Sequence, residues 1–223
     1  MGTVQDETVA RLMRLDCCAV SDALDKLGLQ GCVTGISPLG SMRKIAGRIH
    51  TVRLVAKDKA PPMSGPPRHL GTAAIEACKP GEIIVVEQKS GIDAGSWGGI
   101  LSLGAKLRGV AGVIVDGPVR DVDEARQMDF PVFGRTTTAR TARNRIVEVG
   151  TDIPVTIGDL TVLPGDYVLA DGSAVVFLAQ MDAEKILDAA ESIAGREAAM
   201  AKALQNGKPI TEVMGADYEH MLK

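Results

Sequence analysis

The stretch Val110-Ala111-Gly112-Val113-Ile114-Val115-Asp116-Gly117-Pro118-Val119-Arg120-Asp121 decides the fold class. It is apolar from Val110 to Val115 and meets its first acid at Asp116, the pattern of a short strand buried on both faces. Gly98 to Leu107 before it and Val122 to Met128 after it carry helical spacing, and Phe130-Pro131-Val132-Phe133 supplies another short strand. Strands and helices alternate, so the class is α/β.

Outward from this centre the same logic holds. Lys79-Pro80-Gly81-Glu82 leads into the apolar run Ile83 to Val86, and Leu163-Pro164-Gly165-Asp166 leads into Tyr167 to Ala170. In each, Pro-Gly makes a turn and the run after it is a strand. Residues 44–58 alternate through Ile45, Ile49, Val52 and Val55 as a further strand, and Leu70 to Cys78 reads as a short helix. Between them, four of the seven residues from Pro61 to Pro67 are proline, which only a loop accommodates. At the N-terminal end, residues 5–28 are helical in spacing, with Ser21 the expected N-cap of a second helix, Asp22 to Leu27, closed by Gly28. At the other end, Ala183 to Gln205 forms a long amphipathic helix with Ile186, Leu187, Ala190, Ile193, Ala194, Ala198 and Met200 on one face, ended by Asn206-Gly207. No linker interrupts the pattern, so one α/β domain over residues 1–223 is expected.

Composition narrows the function. Aromatic residues are 3% of the 223, too few to offer stacking platforms for bases, and the net charge is −3. Nucleic acid is therefore not the expected partner. No apolar run approaches the ~18 residues of a membrane span. Met1 leads into the charged stretch Gln5-Asp6-Glu7, which is not the pattern of a secretory leader. Cys17, Cys18, Cys32 and Cys78 include no CxxC pair, in keeping with a reducing cytoplasm.

Unusual chemistry concentrates between Gly95 and Arg140. Gly95-Ser96-Trp97-Gly98-Gly99 is a glycine-rich turn ahead of a helix, able to present free backbone N–H groups to an anion or to serve as an ordinary tight turn plugged by Trp97. Arg120 and Asp121 directly follow the apolar strand, where open α/β sheets gather ligands. Arg120 can clamp a carboxylate, and Asp121 is a hard oxygen donor for Mg²⁺ or Mn²⁺. The competing use of Asp121 is as N-cap of the next helix. His50, His69 and His220 form no metal motif, Thr136 to Thr138 with Arg135 and Arg140 suit a solvated turn, Lys106 and Arg108 flank a helix end, and Glu197 lies on the long helix. No GxGxxG follows a strand, so no nucleotide cofactor is expected.

These segments, taken in order, resemble one family. Ser21-Asp22-Ala23-Leu24 with Gly28, Gly98-Gly99-Ile100-Leu101, Gly112 to Asp121, Pro131-Val132-Phe133, and Pro164-Gly165-Asp166 with Asp171-Gly172 are similar to the family of 4-hydroxy-4-methyl-2-oxoglutarate aldolase and the regulator of ribonuclease E activity A. The resemblance spans roughly residues 8–215. It implies a layered α/β/β/α sandwich like the phosphohistidine swivelling domain, with N- and C-terminal helices. It also implies a homotrimer or dimer of trimers with sites between subunits, the 183–205 helix lying at such an interface. The implied activity is that of a Mg²⁺- or Mn²⁺-dependent carbon–carbon lyase on small 2-oxo acids, working through a pyruvate enolate. By position, Gly98, Gly99, Ile100 and Leu101 would present backbone N–H groups to substrate. Arg120 would bind its carboxylate or enolate oxygen, Asp121 would hold the metal, and Glu197 would reach a neighbouring subunit's site.

The sequence departs from the aldolase pattern at Gly99, where the family's aldolases carry an acid. Aldol cleavage needs a base for the substrate hydroxyl, whereas decarboxylation needs only an electron sink and a later proton. The sequence therefore predicts oxaloacetate-type decarboxylation in preference to aldol cleavage. The alternative function is a non-catalytic, protein-binding regulator of ribonuclease E type.

Overall fold

The computed structural model describes residues 6–62 and 69–215. In chain order the elements are α1 (Glu7–Leu12), α2 (Cys17–Lys26), β1 (Cys32–Val33), β2 (Ser37–Pro38), β3 (Ile45–Ala56), α3 (Thr72–Ala77), β4 (Ile83–Glu87), α4 (Gly99–Leu107), β5 (Gly112–Val119), α5 (Val122–Gln127), β6 (Val132–Thr137), β7 (Ile146–Thr151), β8 (Val155–Ile157), β9 (Leu160–Val162), β10 (Tyr167–Ala170), β11 (Val175–Leu178), α6 (Ala183–Gln205) and α7 (Ile210–Val213). Most of the Pro61–Pro67 loop and all of His220 lie outside the described residues.

Period-two alternation decides which core each strand residue enters. In β4, Ile84 and Val86 join Leu101, Ala105 and Ala125 under α3, α4 and α5, while Ile83 and Val85 point the other way, towards Ile114, Phe133, Val155 and Val168. In β10, Val168 and Ala170 enter that same middle core, and Tyr167 and Leu169 pack against α1, α2 and α6. Three apolar layers result, and they separate helices, sheet, sheet and helices. The two sheet layers are not independent, however. One nine-stranded mixed sheet in the order β1-β11-β10-β3-β4-β5-β6-β2, with β7 also on β3, curls around the middle core, and β8–β9 is a separate hairpin. The expected pair of stacked sheets is thus a single curled sheet with terminal helices on its outside.

Strand β3 makes the curl possible. One of its edges is taken by β4 in parallel over Ile49–Arg53; the other is shared by β10 over Ile45–Arg48 and by β7 over Val52–Ala56. Strands β3, β4, β5 and β6 run parallel to one another, so the loops after β4 and β5 open at one end of the sheet.

The N-terminal helices differ from the expectation. The break falls at Asp16, whose carboxylate accepts from Ala19 N at 2.8 Å, and Ser21 sits inside α2. Gly28, at φ +65°, does end that helix. In α6, burial extends through Ile186, Leu187, Ala190 and Ile193, whereas Ala198 is exposed and Met200 only half-buried. The second half of α6 is therefore more exposed than the first.

Candidate active site

Strand β5 ends in a register shift against β6 between Val115 and Pro118, and its last residues turn towards α4. Two backbone bonds tie this segment to the glycine-rich turn: Ser96 N donates to Pro118 O and Arg120 N donates to Trp97 O, both at 2.9 Å. Trp97 is buried, and its indole N–H donates to Ser102 Oγ at 3.0 Å, so the turn is anchored in the core as well as glycine-rich. Ser96 is also buried, and its Oγ is the one buried side-chain polar atom without a hydrogen-bond partner among the described residues.

The glycines are there because side chains from α5 and its approach need their space. A Cβ on Gly95 would stand 2.8 Å from Arg120 Cγ, and one on Gly98 would stand 2.8 Å from Asp121 Oδ2. Asp121 occupies the N-cap position of α5 in the left-handed region (φ 56°, ψ 35°) but does not cap that helix. Its Oδ2 instead accepts from Gly99 N at 3.0 Å, so the carboxylate sits on the N-terminus of α4, the positive end of that helix dipole. Arg120 Nε donates to both Asp121 oxygens at 3.2 Å. The two terminal guanidinium nitrogens of Arg120 have no partner among the described residues.

Arg120, Asp121 and Gly98 to Leu101 all line one cavity of about 530 Å³, together with Ser96. Its charged lining is Lys57, Arg120 and Arg143 against Asp121 and Glu148, with His69 beside them. Glu148 is already committed, accepting from Gly71 N at 2.7 Å and from Thr151 Oγ1 at 2.6 Å. The lining is cationic on balance, which suits a small anion. Residues 17–177 match the family described as RraA-like: Aldolase/RraA. The chain belongs to the RraA-like family.

Relatives of this RraA-like chain are distant. It is 25% identical over 207 residues to a Halalkalibacterium halodurans protein named "Putative 4-hydroxy-4-methyl-2-oxoglutarate aldolase", covering 92% of each. It is 26% identical over 213 residues to Protein DlpA of Legionella pneumophila, covering 94% of this chain but 34% of DlpA, so it spans about a third of that relative. The solved structure of Streptomyces coelicolor RraAS2, an unusual member of the RNase ES inhibitor RraA protein family, matches with a TM-score of 0.76 at 26% identity, over 87% of this chain and 96% of that one.

Not every residue singled out in the sequence joins this site. Gly99 N–H is taken by Asp121, leaving the Ile100 and Leu101 amides as the first-turn donors. Glu197 lies on α6, in the helical layer on the far side of the curled sheet. Its carboxyl is raised by partial burial and by the nearby Asp16 and Asp22 charges. Asp116 is buried under Arg135 Nε at 2.7 Å and Gly158 N at 2.7 Å, a structural pair. Lys106 bonds Met128 O, and Arg108 bonds Glu76.

His50, Cys78 and Glu82 do bring ligand-type atoms within 4.8 Å of one another, which sequence spacing did not reveal. They stand at the opening end of β4, away from the loops that form the cavity. His50 bridges Glu82 Oε2 and Asp152 Oδ1 at 2.9 Å each, and Glu82 also accepts from Lys79 N at 2.7 Å. Burial, with Glu82 and Asp152 nearby, pushes the Cys78 thiol up to about 12. Hydrogen bonds to Glu82 and Asp152 hold His50, and Cys78 is a buried thiol beside them.

Proposed function

We propose that this protein is a divalent-metal-dependent lyase acting on small 2-oxo acids. The observation that carries the reading is the junction of Arg120 and Asp121 on the N-terminus of α4, inside a cationic cavity. The donor set suits Mg²⁺ or Mn²⁺: Asp121 offers a hard carboxylate on the wall of a cavity large enough for a hydrated ion. Such an ion supplies Lewis-acid stabilisation of a developing oxyanion. Arg120 directs its unpartnered guanidinium nitrogens to the substrate carboxylate or the enolate oxygen, and the Ile100 and Leu101 amides add dipolar donors. Buried Ser96 stands in the wall as a polar group for substrate orientation.

Assembly into trimers, or dimers of trimers, is part of the same reading. Ile100 (81% exposed), Leu103 and Leu107 (79%) form an exposed apolar stripe along α4 that begins at the site. Glu197, on the more exposed half of α6, lies across the sheet from its own Arg120–Asp121 centre, and in this reading it serves the site of another copy.

The test is pyruvate release from oxaloacetate and from 4-hydroxy-4-methyl-2-oxoglutarate, with Mg²⁺ or Mn²⁺ and then with chelator. Chelator-sensitive turnover is expected; its absence with every 2-oxo acid tried removes the proposal. The similarity to RraAS2 supports a second reading, a protein-binding regulator of a ribonuclease. Binding of such a partner would survive chelation, whereas lyase turnover would not.

A further inference from the structure

A Cβ on Gly99 would lie 1.8 Å from Glu124 Oε2 and 2.7 Å from Glu124 Cδ. The Glu124 carboxylate therefore occupies the space that any side chain at position 99 would need. Asp121 Cβ is 3.3 Å from the same point. Two acids from the start of α5, three residues apart and so on one helical face, converge on the first peptide of α4. Asp123 between them turns away to Arg126 at 2.9 Å. Asp121 is engaged by Gly99 N and by Arg120, whereas Glu124 makes no side-chain hydrogen bond or ion pair among the described residues. The absence of an acid at position 99 is thus not the absence of a carboxylate at that place.

We propose that Glu124 is the proton-transferring carboxylate of this site and that it equips the protein for aldol cleavage of 4-hydroxy-2-oxo acids. The inference rests on the lyase reading above. Glu124, directly or through one water, takes the proton of the substrate C4 hydroxyl. The O–H electron pair becomes the new carbonyl of the leaving fragment, the C3–C4 bond breaks, and its electrons pass into the pyruvate enolate held by Arg120. The proton then returns to C3, giving pyruvate and restoring the carboxylate. Decarboxylation of a 2-oxo diacid uses the same electron sink but has no hydroxyl proton to remove. Glu124 therefore governs the balance between the two reactions.

The experiment uses Glu124→Gln in the full chain with Mg²⁺. It compares aldol cleavage, oxaloacetate decarboxylation, and exchange of pyruvate C3 hydrogens with D₂O followed by NMR. The ratio of cleavage to decarboxylation is expected to fall by about 10²-fold or more, and C3 exchange to fall with cleavage. A second variant, Gly99→Asp combined with Glu124→Ala, returns a carboxylate to the same space and should recover exchange. Mn²⁺ binding, read by electron paramagnetic resonance, should persist in Glu124→Gln and be lost in Asp121→Asn. An unchanged ratio, or cleavage and decarboxylation falling in parallel, overturns the role of Glu124 while leaving the lyase reading intact. If the wild-type protein shows no metal-dependent turnover or exchange, the lyase reading fails and this inference falls with it.

Discussion

Replacing Asp121 separates what the residue does for the fold from what it does for chemistry. Asp121→Asn keeps an oxygen acceptor for Gly99 N, now 3.0 Å away, and keeps a side chain at ease in the left-handed region at φ 56°. It loses the ion pair to Arg120, in which both side chains are about a third exposed, so the cost is about 0–1 kcal/mol. Asp121→Ala also removes the cap on α4, worth about 0.5–2 kcal/mol, and leaves a left-handed alanine costing about 1 kcal/mol. A loss of about 1.5–4 kcal/mol follows. For a chain of this size, each kcal/mol moves Tm by roughly 2–4 °C. The asparagine variant should therefore melt within about 4 °C of wild type and the alanine variant roughly 3–16 °C lower. Turnover should fall in both by about 10³-fold, since loss of the metal removes several kcal/mol of transition-state stabilisation. Calorimetric melts and pyruvate release with Mg²⁺ read the two quantities. Equal destabilisation of both variants would refute the capping argument, and undiminished turnover in the asparagine variant would refute the metal assignment.

Further outcomes follow from the same structure. Cys18 and Cys32 are exposed while Cys17 and Cys78 are buried, and burial raises both inner thiols. At pH 8 Ellman's reagent should titrate two thiols quickly and all four only after denaturation; four fast thiols would contradict the packing. Burial alone would raise the Asp171 carboxyl, but N–H groups of Cys17 and Ser173, each donating at 2.8 Å, hold it below the usual range. Its contribution to stability is complete above the unfolded value near ~4 and is lost as the pH falls through the lowered folded value. The urea midpoint of Asp171→Asn should thus trail wild type at pH 7 and approach it at pH 2; a constant gap would be the contrary result. Replacing Leu103 and Leu107 with lysine should convert the proposed trimer to monomer by light scattering, and an unchanged mass would remove α4 from the interface.

What the sequence disclosed depended on how strongly each segment is patterned. Tyr167–Ala170 and Ala183–Gln205 emerge with the expected bounds because an apolar run behind a Pro-Gly turn, or a long amphipathic period, leaves little choice. Strand β7 is weakly patterned: it pairs at a bulged edge of β3, and its burial alternates only through Ile146 and Glu148. Strand β11, Val175–Leu178, is a plain apolar run after Asp171-Gly172, itself a hairpin signal. At the site, the Arg120–Asp121 pair was visible because it follows a buried strand. Glu124 was not, since nothing in Val122-Asp123-Glu124 says which acid turns inward. The usable signal was Gly99 itself, because a glycine opening a helix marks a close approach by something else. That the approaching group is a carboxylate could only come from three dimensions.

Strand β3 has a consequence for how the chain is made. Its first half pairs with residues 167–170, more than a hundred positions downstream, while its second half meets β4 soon after it is synthesised. A nascent chain can build the parallel strands and the Arg120–Asp121 junction early. The Ile45–Arg48 edge, however, must wait for the C-terminal third, with α1 and α2 waiting for α6. Ribosome-stalled chains ending near residue 150 should therefore expose an unpaired β-edge and bind holdase chaperones, and release should come when β10 and α6 have left the exit tunnel.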